Sequence, residues 1–186
     1  MNEPAYQPYF CEENAWKLCA SRLAEEGSDP EEWAVVFISN RQRACPLWHQ
    51  AAAPDPRQPV LWDYHVVVLH RLERGFDIWD LDTTLGFPIA AEVWWSATFE
   101  GLSDFPEPFH PSFRVIPADE YLETFSSDRS HMRGGEGWKQ PPPEWPAIFQ
   151  PERGMNLERF IDTTRPGPGR VLTASAFREL YAARPE

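Results

Sequence analysis

The chain predicts an α/β fold built on a mixed or antiparallel sheet. Segments rich in β-branched and aromatic residues alternate with segments of helical periodicity, and two of the former lie close enough to form a hairpin. Length sets the scale. At 186 residues, with 42% hydrophobic and 14% aromatic content, the chain can bury one sizeable core and is short for two, so residues 1–186 are expected to form a single domain.

Residues 1–8 hold two prolines and no periodicity, which predicts an extended arm. From Glu12 to Glu26 the apolar residues Ala15, Trp16, Cys19, Ala20 and Leu23 recur at helical spacing until Gly27 stops them, so Cys11 stands at the N-terminus of a first helix. Trp33 to Ile38 predicts a strand, Ala44 to Trp48 a shorter one, and APDPRQP a loop. Within Leu61 to Asp82, LWDYHVVVLH and FDIWDLD predict two hairpin strands. A loop centred between Leu72 and Glu73 would set Val67 against Ile78, Leu69 against Phe76 and His65 against Asp80, with Cβ atoms roughly 5 Å apart. A one-residue slip would send these side chains to opposite faces. Trp62, Tyr64, Val66, Val68, Trp79 and Leu81 make the other face apolar as well, which predicts a sheet covered on both sides. Further on, Ala90 to Phe99 and Ala118 to Phe125 predict helices flanking a strand at Phe113 to Ile116. The Gly- and Pro-rich stretch from Ser126 to Gly154 is expected to be irregular. Asn156 would cap a short helix ending at Ile161, RPGPG would turn the chain, and Val171 and Leu172 would form a strand. Thr173 would cap a last helix from Ala174 to Ala183.

Seventeen basic against 29 acidic side chains give a formal charge of −12, which repels nucleic acid and anionic membranes. The same field attracts a cationic substrate such as a peptide with a free α-ammonium group, although solubility alone accounts for an acidic surface. Three cysteines without a CxxC pair argue against a disulfide framework or a structural zinc site. Neither a signal-like start nor a membrane-length apolar run is present, so a reducing, cytoplasmic setting is expected, where a thiol stays free.

A thiol at a helix N-terminus lies in the positive end of the helix dipole, where backbone N–H groups favour the thiolate and can hold an oxyanion. Cys11 is thus a candidate nucleophile, His65 its base, and Asp80 the carboxylate that orients the imidazole. This requires the first helix to dock on the sheet face carrying His65. Each residue also has a structural reading: a buried apolar cysteine, a satisfied core histidine, an aspartate capping a strand end. Two ionisable groups buried opposite one another are costly unless they pair, which favours the chemical reading. His70 points away from His65, so the two do not make a metal pair.

Several blocks of the sequence resemble the protein N-terminal glutamine amidohydrolase family. These are YFCEENAWKLC from Tyr9, VFISN from Val36, PVLWDYHVVVLH from Pro59, WDLDT from Trp79, FRVIPADEYLETFSSDRSHM from Phe113, the PPPEWP loop and MNLERFI from Met155. They run in the family's order over nearly the whole chain. Trp79 stands where tyrosine is common, and LGFPIA lacks a cysteine often found after FP. The resemblance implies a single catalytic domain with a three-layer α/β/α sandwich related to transglutaminases and papain-like thiol enzymes, and it places the catalytic set on Cys11, His65 and Asp80. It further implies hydrolysis of the side-chain amide of an N-terminal Gln through a thioester, on proteins or peptides, with no metal or organic cofactor. A counter-charge for the α-ammonium is sought first in Glu12, then in Glu13 and Asp63, with Tyr64 and Ser130 as further candidate contacts. A monomer is expected. The triad alone leaves a transglutaminase or a peptidase open, and the full-length motif match decides for the amidohydrolase; a catalytically silent binder of N-termini is a further alternative, against which an intact Cys, His and Asp set argues.

Overall fold

The computed structural model describes residues 3–135 and 137–183. In chain order the elements are α1 (Cys11–Leu23), β1 (Trp33–Ser39), β2 (Cys45–Leu47), β3 (Val60–Trp62), β4 (Tyr64–Arg71), β5 (Phe76–Trp79), β6 (Ile89–Ala90) and α2 (Ala91–Thr98). There follow β7 (Ser112–Pro117), α3 (Ala118–Thr124), β8 (Arg133–Gly134), β9 (Gly137–Trp138), α4 (Glu158–Ile161), β10 (Arg170–Thr173) and α5 (Ala174–Tyr181). Six strands form one antiparallel sheet in the order β10-β7-β1-β4-β5-β6, while β2 with β3 and β8 with β9 make two small ribbons.

Strand β1 is central and buried on both faces, and its alternating side chains divide the core. Val35 and Phe37 join Val66 and Val68 of β4, Leu18 of α1, Tyr121 of α3 and Phe160 of α4 in one cluster. Val36 and Ile38 join Val67, Leu69, Ile78, Trp94 of α2 and Phe177 of α5 in the other. Apolar side chains therefore cover both faces of the sheet, as the unbroken apolar character of β4 predicts.

The hairpin register differs from the expected one by two residues. Val68 faces Trp79, Leu69 faces Ile78 and Arg71 faces Phe76, because the chain reverses about Glu73 and Arg74, one position later than the assumed centre. Gly75, at φ +81°, accommodates that turn. A shift of two preserves the face on which every side chain lies, so His65 and Asp80 still converge, but Asp80 sits just beyond the end of β5 rather than across from His65. The residues LW, expected to extend the hairpin, belong instead to β3 in the separate ribbon with β2.

Three smaller expectations also change. Helix α1 ends at Leu23, before a turn closed by Gly27 at φ +84°. Asn156 does not cap α4: its amide bridges the Ser126 N–H and the Thr124 carbonyl, fastening the chain after α3. The N-terminal arm, of which residues 1 and 2 lie outside the described residues, is tied down, with Tyr6 bonded to Asp82 and Gln7 exchanging bonds with Asn14. Thr173 does cap α5, accepting the Ala176 N–H at 3.2 Å.

Arg114 of β7 is buried against the C-terminal segment. Its guanidinium donates to the carbonyls of Phe160, Asp162, Arg165 and Pro168.

Candidate active site

His65 projects from β4 with no solvent exposure, and its Nε2 lies 2.9 Å from Asp80 Oδ1. A carboxylate only accepts, so the proton of the neutral ring resides on Nε2 and the Nδ1 lone pair is left over. Nδ1 is buried with no hydrogen-bond partner. Asp80, also fully buried, collects further donors: the Asp82 N–H on Oδ1, and Gln50 Nε2 and Trp94 Nε1 on Oδ2. Burial alone would raise its pKa, but the His65 charge and these donors hold the carboxyl below its ordinary value. Burial likewise pushes His65 down, and Asp80, with Asp82 behind it, more than reverses this, leaving the imidazole above its ordinary value.

Cys11 opens α1, whose N-cap, Phe10, offers no side-chain acceptor for the first-turn N–H groups. The expected docking is not the observed one. Helix α1 packs on the face carrying Tyr64, Val66 and Val68, opposite to that of Val67 and Leu69, which His65 shares by alternation along β4. The Cys11 sulfur meets the Val66 N–H of β4, where pairing with β5 has not yet begun, and Cys11 lines a small internal void together with Val66, Trp79, Leu81 and Asp82. Burial, followed by the nearby Glu12 and Asp82 carboxylates, pushes the Cys11 thiol well above its ordinary pKa, and the Val66 N–H opposes that rise. Burial and these two carboxylates therefore oppose the helix-end effect invoked from the sequence.

An open cavity of about 850 Å³ lies over Cys11, and Trp62, Asp63, Tyr64, Ser130 and His131 help to line it. Behind Tyr64 and His131 of its wall, Glu12 is fully buried; its Oε2 accepts the Tyr64 hydroxyl at 3.0 Å, while Oε1, 3.4 Å from His131 Nε2, has no hydrogen-bond partner. Glu13, equally buried, is engaged by Arg129 through two bonds and by Trp145 Nε1 at 2.8 Å. Asp63 and Ser130 are exposed at the rim. Sequence reasoning missed Gln50, Trp62 and Trp94 as partners of the His65 and Asp80 pair, and His131 as a neighbour of Glu12. Only Glu12, beside the candidate cysteine, gave a local signal. Among the described residues, no group of His, Cys, Asp and Glu is arranged to hold a metal ion, and no helix is long and apolar enough to cross a membrane.

The family model described as N-terminal glutamine amidase matches residues 6–181. The chain is 41% identical over 186 residues to a protein N-terminal glutamine amidohydrolase of Danio rerio, covering 98% of this chain and 92% of that one. It is 42% identical over 182 residues to the protein of that name from Homo sapiens, covering 96% and 88%. Against the protein of that name from Drosophila melanogaster it is 39% identical over 189 residues, covering 100% and 92%.

Proposed function

The chain belongs to the N-terminal glutamine amidase family, and from that premise we propose that it hydrolyses the side-chain amide of an N-terminal glutamine, with Cys11 as nucleophile, His65 as acid and base, and Asp80 as the carboxylate that orients the imidazole. One observation carries the assignment of roles: Asp80 occupies His65 Nε2, leaving a buried, unpartnered Nδ1 as the ring's base.

In this scheme Nδ1 takes the Cys11 proton as the sulfur attacks the amide carbon, and the oxyanion forms at the first-turn N–H groups of α1. The C–N bond then breaks. The nitrogen leaves as ammonia with the proton held on Nδ1, and a γ-glutamyl thioester remains. Water gives a proton to Nδ1 and adds to the thioester, the C–S bond breaks, and the proton returns to sulfur. The sum is glutamine side chain plus water to glutamate side chain plus ammonia.

A charged α-ammonium needs a counter-ion within reach. Glu12, in contact with the cavity-wall residues Tyr64 and His131, has a carboxylate oxygen without a hydrogen bond, whereas Glu13 is taken up by Arg129, and this ranks Glu12 first. Tyr64 fixes the Glu12 carboxylate, and Asp63 and Ser130 would contact the peptide from the rim. The architecture reads as a three-layer α/β/α sandwich of the transglutaminase and papain-like type forming one catalytic domain. A cytoplasmic monomer without cofactor suits three buried, unbridged cysteines and a reaction completed by one chain.

The deciding experiment offers the purified protein a peptide beginning with Gln, beside matched peptides beginning with Asn or carrying Gln at the second position. Ammonia release and a mass gain of about one dalton from the first alone, abolished in Cys11→Ala, supports the assignment. Equal turnover of the second-position peptide would overturn it.

A further inference from the structure

Gln50 lies in the segment after β2, is 2% exposed, and takes no part in the steps above. Its amide is engaged at both ends. Nε2 donates to Asp80 Oδ2 at 3.2 Å, and Oε1 accepts the Trp62 indole N–H at 3.2 Å. Trp62 in turn lies over the His65 imidazole, with ring centroids 5.4 Å apart and 21° between planes. The contacts close a ring that runs from His65 to Asp80, Gln50, Trp62 and back to His65. We infer that Gln50 is a positioning residue for this reaction, setting the plane of the His65 imidazole from two sides. The inference rests on the assignment of Cys11, His65 and Asp80.

A carboxylate bonded only to an imidazole can rotate about its terminal torsion and carry the ring with it. With Oδ2 held by Gln50 and Trp94, that rotation is closed. The second constraint acts on the face of the ring. Trp62 is itself partly exposed in the wall of the cavity, so its indole needs an inward anchor to stay parallel to His65, and the Gln50 oxygen provides it. A neutral primary amide donates to a carboxylate through its nitrogen and accepts from an indole through its oxygen without adding charge at any pH of interest. The Gln50 backbone is fixed to the segment that carries Asp80 through its bridge with Thr83 and the Ala51 N–H bond to the Asp82 carbonyl at 2.7 Å.

The test compares Q50M, which keeps the side-chain length but has no amide, with Q50E and W62F. Q50M is expected to lower kcat about 10- to 100-fold with KM within about twofold, since orientation and not binding is lost. Glutamate at this position can donate to Asp80 only when protonated, so Q50E activity relative to the parent should climb as pH falls. A role in packing alone predicts no such climb. W62F keeps the stack and breaks the ring, so in Q50M/W62F the loss should equal that of Q50M alone. A Q50M kcat within about twofold of the parent, a pH-independent Q50E ratio, or losses that multiply would each overturn the inference. Should Q50M fail to fold, the Q50E ratio and the W62F kcat decide. Should the parent release no ammonia, the assigned reaction fails separately. The pH dependence of Cys11 alkylation then reads His65 directly: a shifted midpoint in Q50M supports the role of Gln50, and an unchanged one overturns it.

Discussion

Glu13 and Arg129, 116 positions apart in the chain, form a two-point ion pair inside the protein, with Nε to Oε1 and Nη2 to Oε2 both at 2.7 Å. Their side chains are 0% and 8% exposed. The pair fastens the irregular segment after α3 to the helix that carries Cys11, and Trp145 of the PPPEWP loop adds a third point. Removing one partner leaves a buried charge uncompensated. Arg129→Ala is expected to cost about 3–5 kcal/mol in urea unfolding, and a loss below about 1 kcal/mol would show the pair to be incidental. The rim residues Ser130 and His131 adjoin Arg129, so KM should rise in any variant that remains folded.

Turnover should depend very unequally on the three central side chains. Cys11→Ala removes the only atom able to hold the acyl group and should leave no measurable ammonia release. Asp80→Asn keeps shape but loses the charge and one of the two acceptor oxygens, so with Gln50 and Trp94 claiming the oxygen that remains the His65 tautomer is no longer set, and a kcat drop of about 10²- to 10⁴-fold is expected with KM little changed. An Asp80→Asn enzyme within about tenfold of the parent would remove Asp80 from the mechanism.

The pH dependence has a defined sign. Nδ1 must be unprotonated to take the Cys11 proton, and Asp80 holds His65 above its ordinary value of 6.5 despite burial. The acidic limb of kcat/KM should therefore lie above pH 6.5, and in Asp80→Asn, where burial acts without the anion, it should move to lower pH. Stability is linked the other way. The folded state holds the His65 proton more tightly than the unfolded state, so this contribution is full below pH 6.5 and fades as pH rises through the folded value. A limb at or below 6.5 in the parent would contradict the pairing.

Charge at Glu12 should govern binding more than chemistry. Glu12→Gln retains the volume and an acceptor for Tyr64 while removing the counter-charge, and an approximately tenfold or greater rise in KM for a Gln-first peptide is expected, with a smaller change in kcat. Equal KM values would shift the search to Asp63.

The sequence carries those features that follow from periodicity. Strand β4 and its flanking strands are legible because β-branched runs have a single face pattern, and the convergence of His65 and Asp80 is legible because a register error of two leaves faces intact. The register itself is not, since it depends on where Gly75 takes its positive φ within a turn of otherwise ordinary residues. Contacts made by Gln50, Trp62 and Trp94 are also hidden: they join a loop, a ribbon strand and a helix whose mutual placement has no local signature. The side of the sheet on which α1 docks has no local signature either, since helix and sheet present apolar residues on more than one face.

The stretch from Phe160 to Pro168 is gripped by Arg114 entirely through main-chain oxygens. Main-chain oxygens are common to all twenty amino acids. Beyond the buried core residues Phe160 and Ile161, that segment can therefore drift in composition, or accept a designed replacement, while keeping its path, provided Gly167 is spared, where an added methyl would stand 2.9 Å from the guanidinium. Sequence variation from Asp162 to Pro166 carries little structural meaning, and a single change at Arg114 outweighs many within that stretch.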